Sequence, residues 1–118
     1  MFDIKLTDGT FIELKSYVKK SLEGIPSSTK FVNQFKQYLQ SLSTTGNDIS
    51  KLKYVFNSKK VSEKEVKDAF VKLFNTKAEE IFNANPSVFN NDQFKIFTVS
   101  DLEKVTATHP IFNFLTLL

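Results

Sequence analysis

The sequence predicts a single α/β (α+β) domain over residues 1–118, in which an N-terminal antiparallel hairpin joins a small mixed sheet packed by helices. Three observations lead there. Residues 2–17 (FDIKLTDGTFIELKSY) alternate apolar and polar on both sides of Asp8-Gly9, the pattern of a half-buried hairpin. Residues 29–43 and 63–84 carry apolar side chains at helical spacing, each behind a capping Ser or Thr. A short run of strand character follows each helix, at 51–57 and 94–99, so strands and helices alternate along the chain. The 118 residues suffice for one core, and the thirteen phenylalanines predict that it is rich in rings.

In the hairpin, Phe2, Ile4 and Leu6 share one side of the first strand. Thr10, Ile12 and Leu14 share one side of the second. A two-residue loop at Asp8-Gly9 would set Ile4 against Glu13 and mix the faces. A three-residue loop, Thr7-Asp8-Gly9, sets Leu6 against Thr10, Ile4 against Ile12 and Asp3 against Glu13. Only that register keeps the apolar face whole, and a slip of one residue would turn a strand over. Asp3, Lys5, Glu13 and Lys15 then share the other face, which is expected to point outward. Two carboxylates directly opposite repel. A divalent cation, or the lysines at 5 and 15, would offset that repulsion.

Lys19 to Ser28, with Gly24 and Pro26, reads as a connector. Ser28 or Thr29 caps the helix of 29–43, whose stripe is Phe31, Val32, Phe35, Leu39 and Leu42, with Gln34 and Tyr38 together at its border. Gly46 helps to end it. Leu52, Tyr54 and Phe56 fall on one side of the strand at 51–57. Ser62 and Glu65 form a capping box that opens the helix of 63–84, with Val66, Phe70, Leu73, Phe74, Ala78 and Ile81 inward. A loop with Pro86 leads to the strand at 94–99, and Ser100 caps a short helix near 101–107. His109-Pro110 breaks that helix, and 111–118 is an apolar tail. The count is about four strands and about three helices.

The net charge of +3 comes wholly from lysine, since the sequence holds no arginine. Lysine excess suits contact with phosphate backbones. Bidentate arginine contacts are the commonest specific reading of guanine, so any nucleic-acid contact is expected to show little sequence preference. The absence of cysteine excludes disulfides and thiolate metal sites. No apolar run is long enough to span a bilayer, no membrane partner is expected, and no cleavable signal is evident. Only three glycines are present, at 9, 24 and 46, so there is no phosphate-binding glycine loop.

Asp3, then Glu13-Leu14-Lys15 on an antiparallel hairpin, then Gln34-x-x-x-Tyr38 on the following helix, resembles the PD-(D/E)XK nuclease superfamily. The resemblance is clearest over residues 2–42. It implies that Asp3 and Glu13 bind Mg²⁺ (or Mn²⁺), that the carbonyl of Leu14 adds a third ligand, and that Lys15 serves the attacking water. Gln34 and Tyr38 would contact the metal site or the nucleic acid. The implied fold is a restriction-endonuclease-like core lacking its first helix and strand, because the Asp strand begins right after Met1 and the family usually places both elements before it. Phe2 stands where the family often has proline. Either the missing elements belong to a longer precursor or the fold manages without them. The chain is also similar to the C-terminal toxin modules of bacterial polymorphic toxins, which implies an immunity protein as partner.

The expected function is therefore metal-dependent hydrolysis of phosphodiester bonds, in DNA rather than RNA, in the cytoplasm or after delivery into a target cell. The alternative is a non-catalytic interaction domain, either a degenerate nuclease fold or an immunity-type partner-binding protein. His109, the single histidine, is expected to be structural or solvated. Lys19-Lys20 and Lys59-Lys60 read as solubilising pairs that could also touch phosphate. The run IFNFLTLL at 111–118 is either buried or an exposed patch through which a homodimer forms.

Overall fold

The Thr7-Asp8-Gly9 turn sets the first register. In this computed structural model, which describes residues 4–118, Gly9 takes φ +91° and its N–H donates to the Leu6 carbonyl at 3.2 Å. The Thr10 N–H donates to Asp8 Oδ1 at 3.0 Å, and the Leu6 N–H to the Thr10 carbonyl at 2.7 Å. Strand β1 (Ile4–Lys5) pairs antiparallel with β2 (Phe11–Lys15), placing Ile4 opposite Ile12 and Lys5 opposite Phe11. That is the three-residue-loop register.

β3 (Leu52–Phe56) lies parallel to β2, and β4 (Leu115–Leu117) parallel to β3, giving the order β1-β2-β3-β4. The β2–β3 connection holds α1 (Lys19–Glu23) and α2 (Thr29–Thr44). The β3–β4 connection holds α3 (Glu63–Ala84) and α4 (Val99–Glu103). Crossovers between parallel neighbours are right-handed as a rule, and here the strand order advances in one direction, so both crossovers carry their helices to the same face. The core lies between that face and α2 and α3. Phe35 of α2 is fully buried, with ring centroids 5.9 to 6.1 Å from those of Tyr54, Phe70, Phe74 and Phe114. Edge-to-face and tilted ring pairs at such distances add to plain area burial.

The hairpin faces the opposite way from the expectation. Phe11, Glu13 and Lys15 point to the helices, whereas Ile4, Leu6 and Leu14 are exposed on the outer face. The cause is β3. Its Leu52, Tyr54 and Phe56 are buried against the helices, and parallel pairing sets Phe11, Glu13 and Lys15 beside them in that order. Side chains in register share a face. Those three large β3 side chains under α2 and α3 outweigh the weaker stripe of a short hairpin.

Other elements also differ. Residues 19–28 are not a bare connector: α1 and a 3₁₀ turn at Ile25–Ser27 form there because Leu22 and Ile25 are buried. Residues 94–99 form no strand. Phe94 and Ile96 are buried from a loop in which Lys95 takes φ +56°, a value that interrupts any ladder. The Asn91 side chain accepts the Phe94 N–H and its carbonyl accepts the Lys95 N–H. The fourth strand is the chain's last apolar run instead. Thr98, not Ser100, caps α4, in a capping box with Asp101. The run 111–118 is largely internal: Ile111, Phe112, Phe114 and Leu115 are buried, and Asn113 and Leu118 are exposed. Ser28 caps α2 and the Ser62–Glu65 capping box opens α3, both as read from the sequence. No helix among the described residues is long and apolar enough to cross a membrane.

Candidate functional site

Glu13 and Lys15 are two apart on β2 and share its inner face; Gln34 and Tyr38 are four apart on α2 and share one side of it. Two strand residues span about 6.6 Å and four helical residues about 6 Å, so two side-chain pairs can meet in parallel rungs. They do. The Tyr38 hydroxyl donates to Glu13 Oε2 at 3.0 Å, and Lys15 Nζ donates to Gln34 Oε1 at 3.4 Å. Lys15 Nζ also lies 3.0 Å from Glu13 Oε2. The structure thus joins four of the residues singled out from the sequence in one network. Three of them lie deep, since Tyr38 is buried and the Glu13 and Lys15 side chains are 7% and 10% exposed, while Gln34 is half-buried.

The lysine sits in a ring cage. Its ammonium is 5.5 Å from the ring centroid of Tyr17, 5.6 Å from that of Phe31 and 5.5 Å from that of Tyr54. Cation–π attraction at these distances compensates a charge that has left water. Burial of two charges is costly, and close pairing with further hydrogen bonds is what makes it tolerable.

The carboxylate is used unevenly. Oε2 accepts from both Tyr38 and Lys15, while Oε1, equally buried, has no hydrogen-bond partner among the described residues. Beside it in the sheet is Tyr54, paired in register with Glu13. The Tyr54 hydroxyl is the other buried side-chain polar atom without a hydrogen-bond partner among the described residues. Burial, followed by the neighbouring Tyr38, Glu13 and Tyr17, holds its phenol well above the usual tyrosine range, so it stays protonated and able to donate. Buried polar atoms are nearly always satisfied, by protein, water or an ion. An unshared carboxylate oxygen is a hard ligand of the kind Mg²⁺ takes. Glu13 Oε1 is a single carboxylate oxygen, and no group of three or more His, Cys, Asp or Glu side chains that could hold a metal ion converges among the described residues.

Leu14 supplies no side chain to this network, since it points to the outer face; its backbone lies between the two charged residues. Asp3 lies outside the described residues. Tyr54, Tyr17 and Phe31 were not expected here. The available signal was a tyrosine among apolar residues in KLKYVFN, but only the β2–β3 register tells that its hydroxyl adjoins Glu13. His109 is structural: its Nδ1 accepts the Ile111 N–H at 3.0 Å and caps the 3₁₀ turn Pro110–Phe114. Burial holds its imidazole below the usual histidine value, offset in part by a hydrogen bond with the Phe94 backbone. Lys19 lies 4.0 Å from Glu65. Two clefts flank the network. One of about 650 Å³ is lined by Phe11, Tyr38, Gln37, Gln40 and Ser41 among others. One of about 540 Å³ includes Lys15.

No protein-family model, no curated protein and no solved structure matches the chain.

Proposed function

We propose that this chain is a metal-dependent nuclease-like domain of the PD-(D/E)XK type, hydrolysing phosphodiester bonds in DNA with little sequence preference. The observation that carries the reading is the buried Glu13 carboxylate, with Tyr38 and Lys15 on one oxygen and no partner on the other among the described residues. A purely structural ion pair gains from satisfying both oxygens, whereas a ligand keeps one for its ion.

In this reading Glu13 Oε1, the Leu14 carbonyl and Asp3 hold Mg²⁺ or Mn²⁺. When bound, the cation supplies Lewis acidity toward the phosphoryl group and lowers the pKa of a coordinated water. Tyr38 fixes the Glu13 carboxylate through Oε2, and Gln34 steadies Lys15. The Lys15 ammonium orients the water and offsets charge that develops on the phosphoryl oxygens. The water oxygen bonds to phosphorus and the phosphorus–oxygen bond to the leaving sugar breaks. The water's proton passes to solvent, and the leaving alkoxide takes up another. Sixteen lysines and no arginine fit attachment by backbone phosphates over base reading.

The test is supercoiled plasmid incubated with Mg²⁺ or Mn²⁺. Wild type is expected to nick and linearise it, and Glu13→Ala and Lys15→Ala to lose that activity while still folded by circular dichroism. No cutting by wild type, or equal cutting by both variants, counts against the reading.

One observation favours a second reading, a non-catalytic interaction domain: the outer sheet face exposes Ile4, Leu6 and Leu14 together. Light scattering with a metal titration separates the two, because a partner-binding module would show no affinity for Mn²⁺.

A further inference from the structure

We infer that the cleft at the carboxyl ends of β2 and β3 is a phosphate-binding subsite, with Lys59 as its principal contact to the backbone of a nucleic-acid substrate. This rests on the nuclease reading above and names where the polymer lies against the site.

Parallel neighbouring strands run the same way, so β2 and β3 end side by side at one edge of the sheet. Here β2 ends at Lys15 and β3 at Phe56, which are partners in register, and the cleft of about 540 Å³ lies just beyond them. Among the described residues its lining is Lys15, Ser16, Asn57 and Lys59 together with Leu14, Val55, Phe56 and Leu118, with no acidic side chain. The four polar side chains can all donate hydrogen bonds. Ser16 makes no side-chain hydrogen bond, and Lys59 has no ion-pair partner, among the described residues.

The backbone that displays Lys59 is held at several points. Asn57 Oδ1 accepts the Lys59 N–H at 2.8 Å, which leaves the Asn57 amide N–H groups to donate outward. The Asn57 carbonyl accepts the Lys60 N–H at 3.0 Å and the Val61 N–H at 3.1 Å. The Ser58 N–H donates to the Leu118 carbonyl at 2.8 Å, and Val61 is buried as an anchor. A lysine on a fixed loop loses less backbone freedom on binding than one on a mobile loop. Lys15 belongs both to this cleft and to the Glu13 network, so a phosphate seated here adjoins the residues that would cut its neighbour.

The experiment is fluorescence anisotropy of a labelled 20-base-pair duplex with the full chain in EDTA, over a series of salt concentrations. Lys59→Gln is expected to weaken binding roughly three- to tenfold and to lower the salt slope by about one phosphate's worth. Lys104→Gln, the same charge change outside the cleft, is expected to bind as wild type does. Equal affinity and slope for Lys59→Gln and wild type, an equal loss for Lys104→Gln, or a Lys59-dependent affinity for anionic phospholipid vesicles that exceeds that for duplex would overturn the inference. Plasmid cutting, followed in parallel with Glu13→Ala, separates the two claims. Cutting that needs Glu13 but binding that ignores Lys59 removes the subsite alone. Lys59-dependent binding without any cutting removes the hydrolytic reading and keeps the subsite.

Discussion

The Tyr38 hydroxyl, together with the Gln34 amide, ties the helix to the charged strand. It donates to Glu13 Oε2 in a buried setting, where hydrogen bonds to charged groups contribute about 1.5 to 3 kcal/mol. Tyr38→Phe is therefore expected to lower unfolding stability by about that amount in urea denaturation. Glu13→Ala is expected to cost more, about 3 to 5 kcal/mol, because it strands the Lys15 ammonium among rings without its counter-charge. Removing both charges together, as Glu13→Gln with Lys15→Met, should cost clearly less than the sum of the two single changes. Additive costs would mean that the two groups do not interact. If the pair is also the catalytic pair, its stability cost is the strain a site tolerates for function. The double variant then folds well and cuts nothing.

At the scale of elements, the starts of the two long helices were legible, whereas α1, the cap of α4 and the fourth strand were not. Ser62 and Glu65 satisfy each other's backbone N–H groups at the head of α3, and Thr98 and Asp101 do so at α4. Both motifs are local; the one at α3 is announced by residue identity, whereas at α4 the sequence pointed to Ser100 and Thr98 forms the cap instead. In Glu65 the hydrogen bond from the Ser62 backbone, and in Asp101 that from the Phe97 backbone, hold the carboxyl below its ordinary value. A carboxyl lowered in the folded state adds stability that is present above its unfolded pKa and lost as pH falls through its folded one. The thermal midpoint should thus fall between about pH 5 and about pH 3, and Glu65→Gln with Asp101→Asn should flatten part of that fall. An unchanged pH profile would show that the capping carboxylates do not titrate with folding. The segment 94–99 taught the opposite lesson. Its alternation is real, since Phe94 and Ile96 are buried, but burial came without a neighbouring strand, and the Asn91 turn with Lys95 at positive φ supplied the backbone partners instead.

Over the whole molecule, the one-way strand order places both crossovers on one face and leaves the other open. Leu14 on that open face is 53% exposed, whereas Leu52 on the inner face is fully buried. Leu14→Thr is expected to change stability by less than about 0.5 kcal/mol and Leu52→Ala to cost about 2 to 5 kcal/mol, read from denaturant midpoints. Equal costs would place the core on the wrong side of the sheet. The sequence by itself determined the hairpin register, the two long helices with their caps, and the pairing of Glu13 and Lys15 on one face and of Gln34 and Tyr38 on another. These follow from spacing, turn chemistry and local hydrogen bonds, all short in range. Only the tertiary structure decided which hairpin face is covered, which run becomes the fourth strand, and that Tyr54 adjoins Glu13. Each of those depends on pairing with β3 more than thirty-five residues away along the chain, where helix packing sets the side.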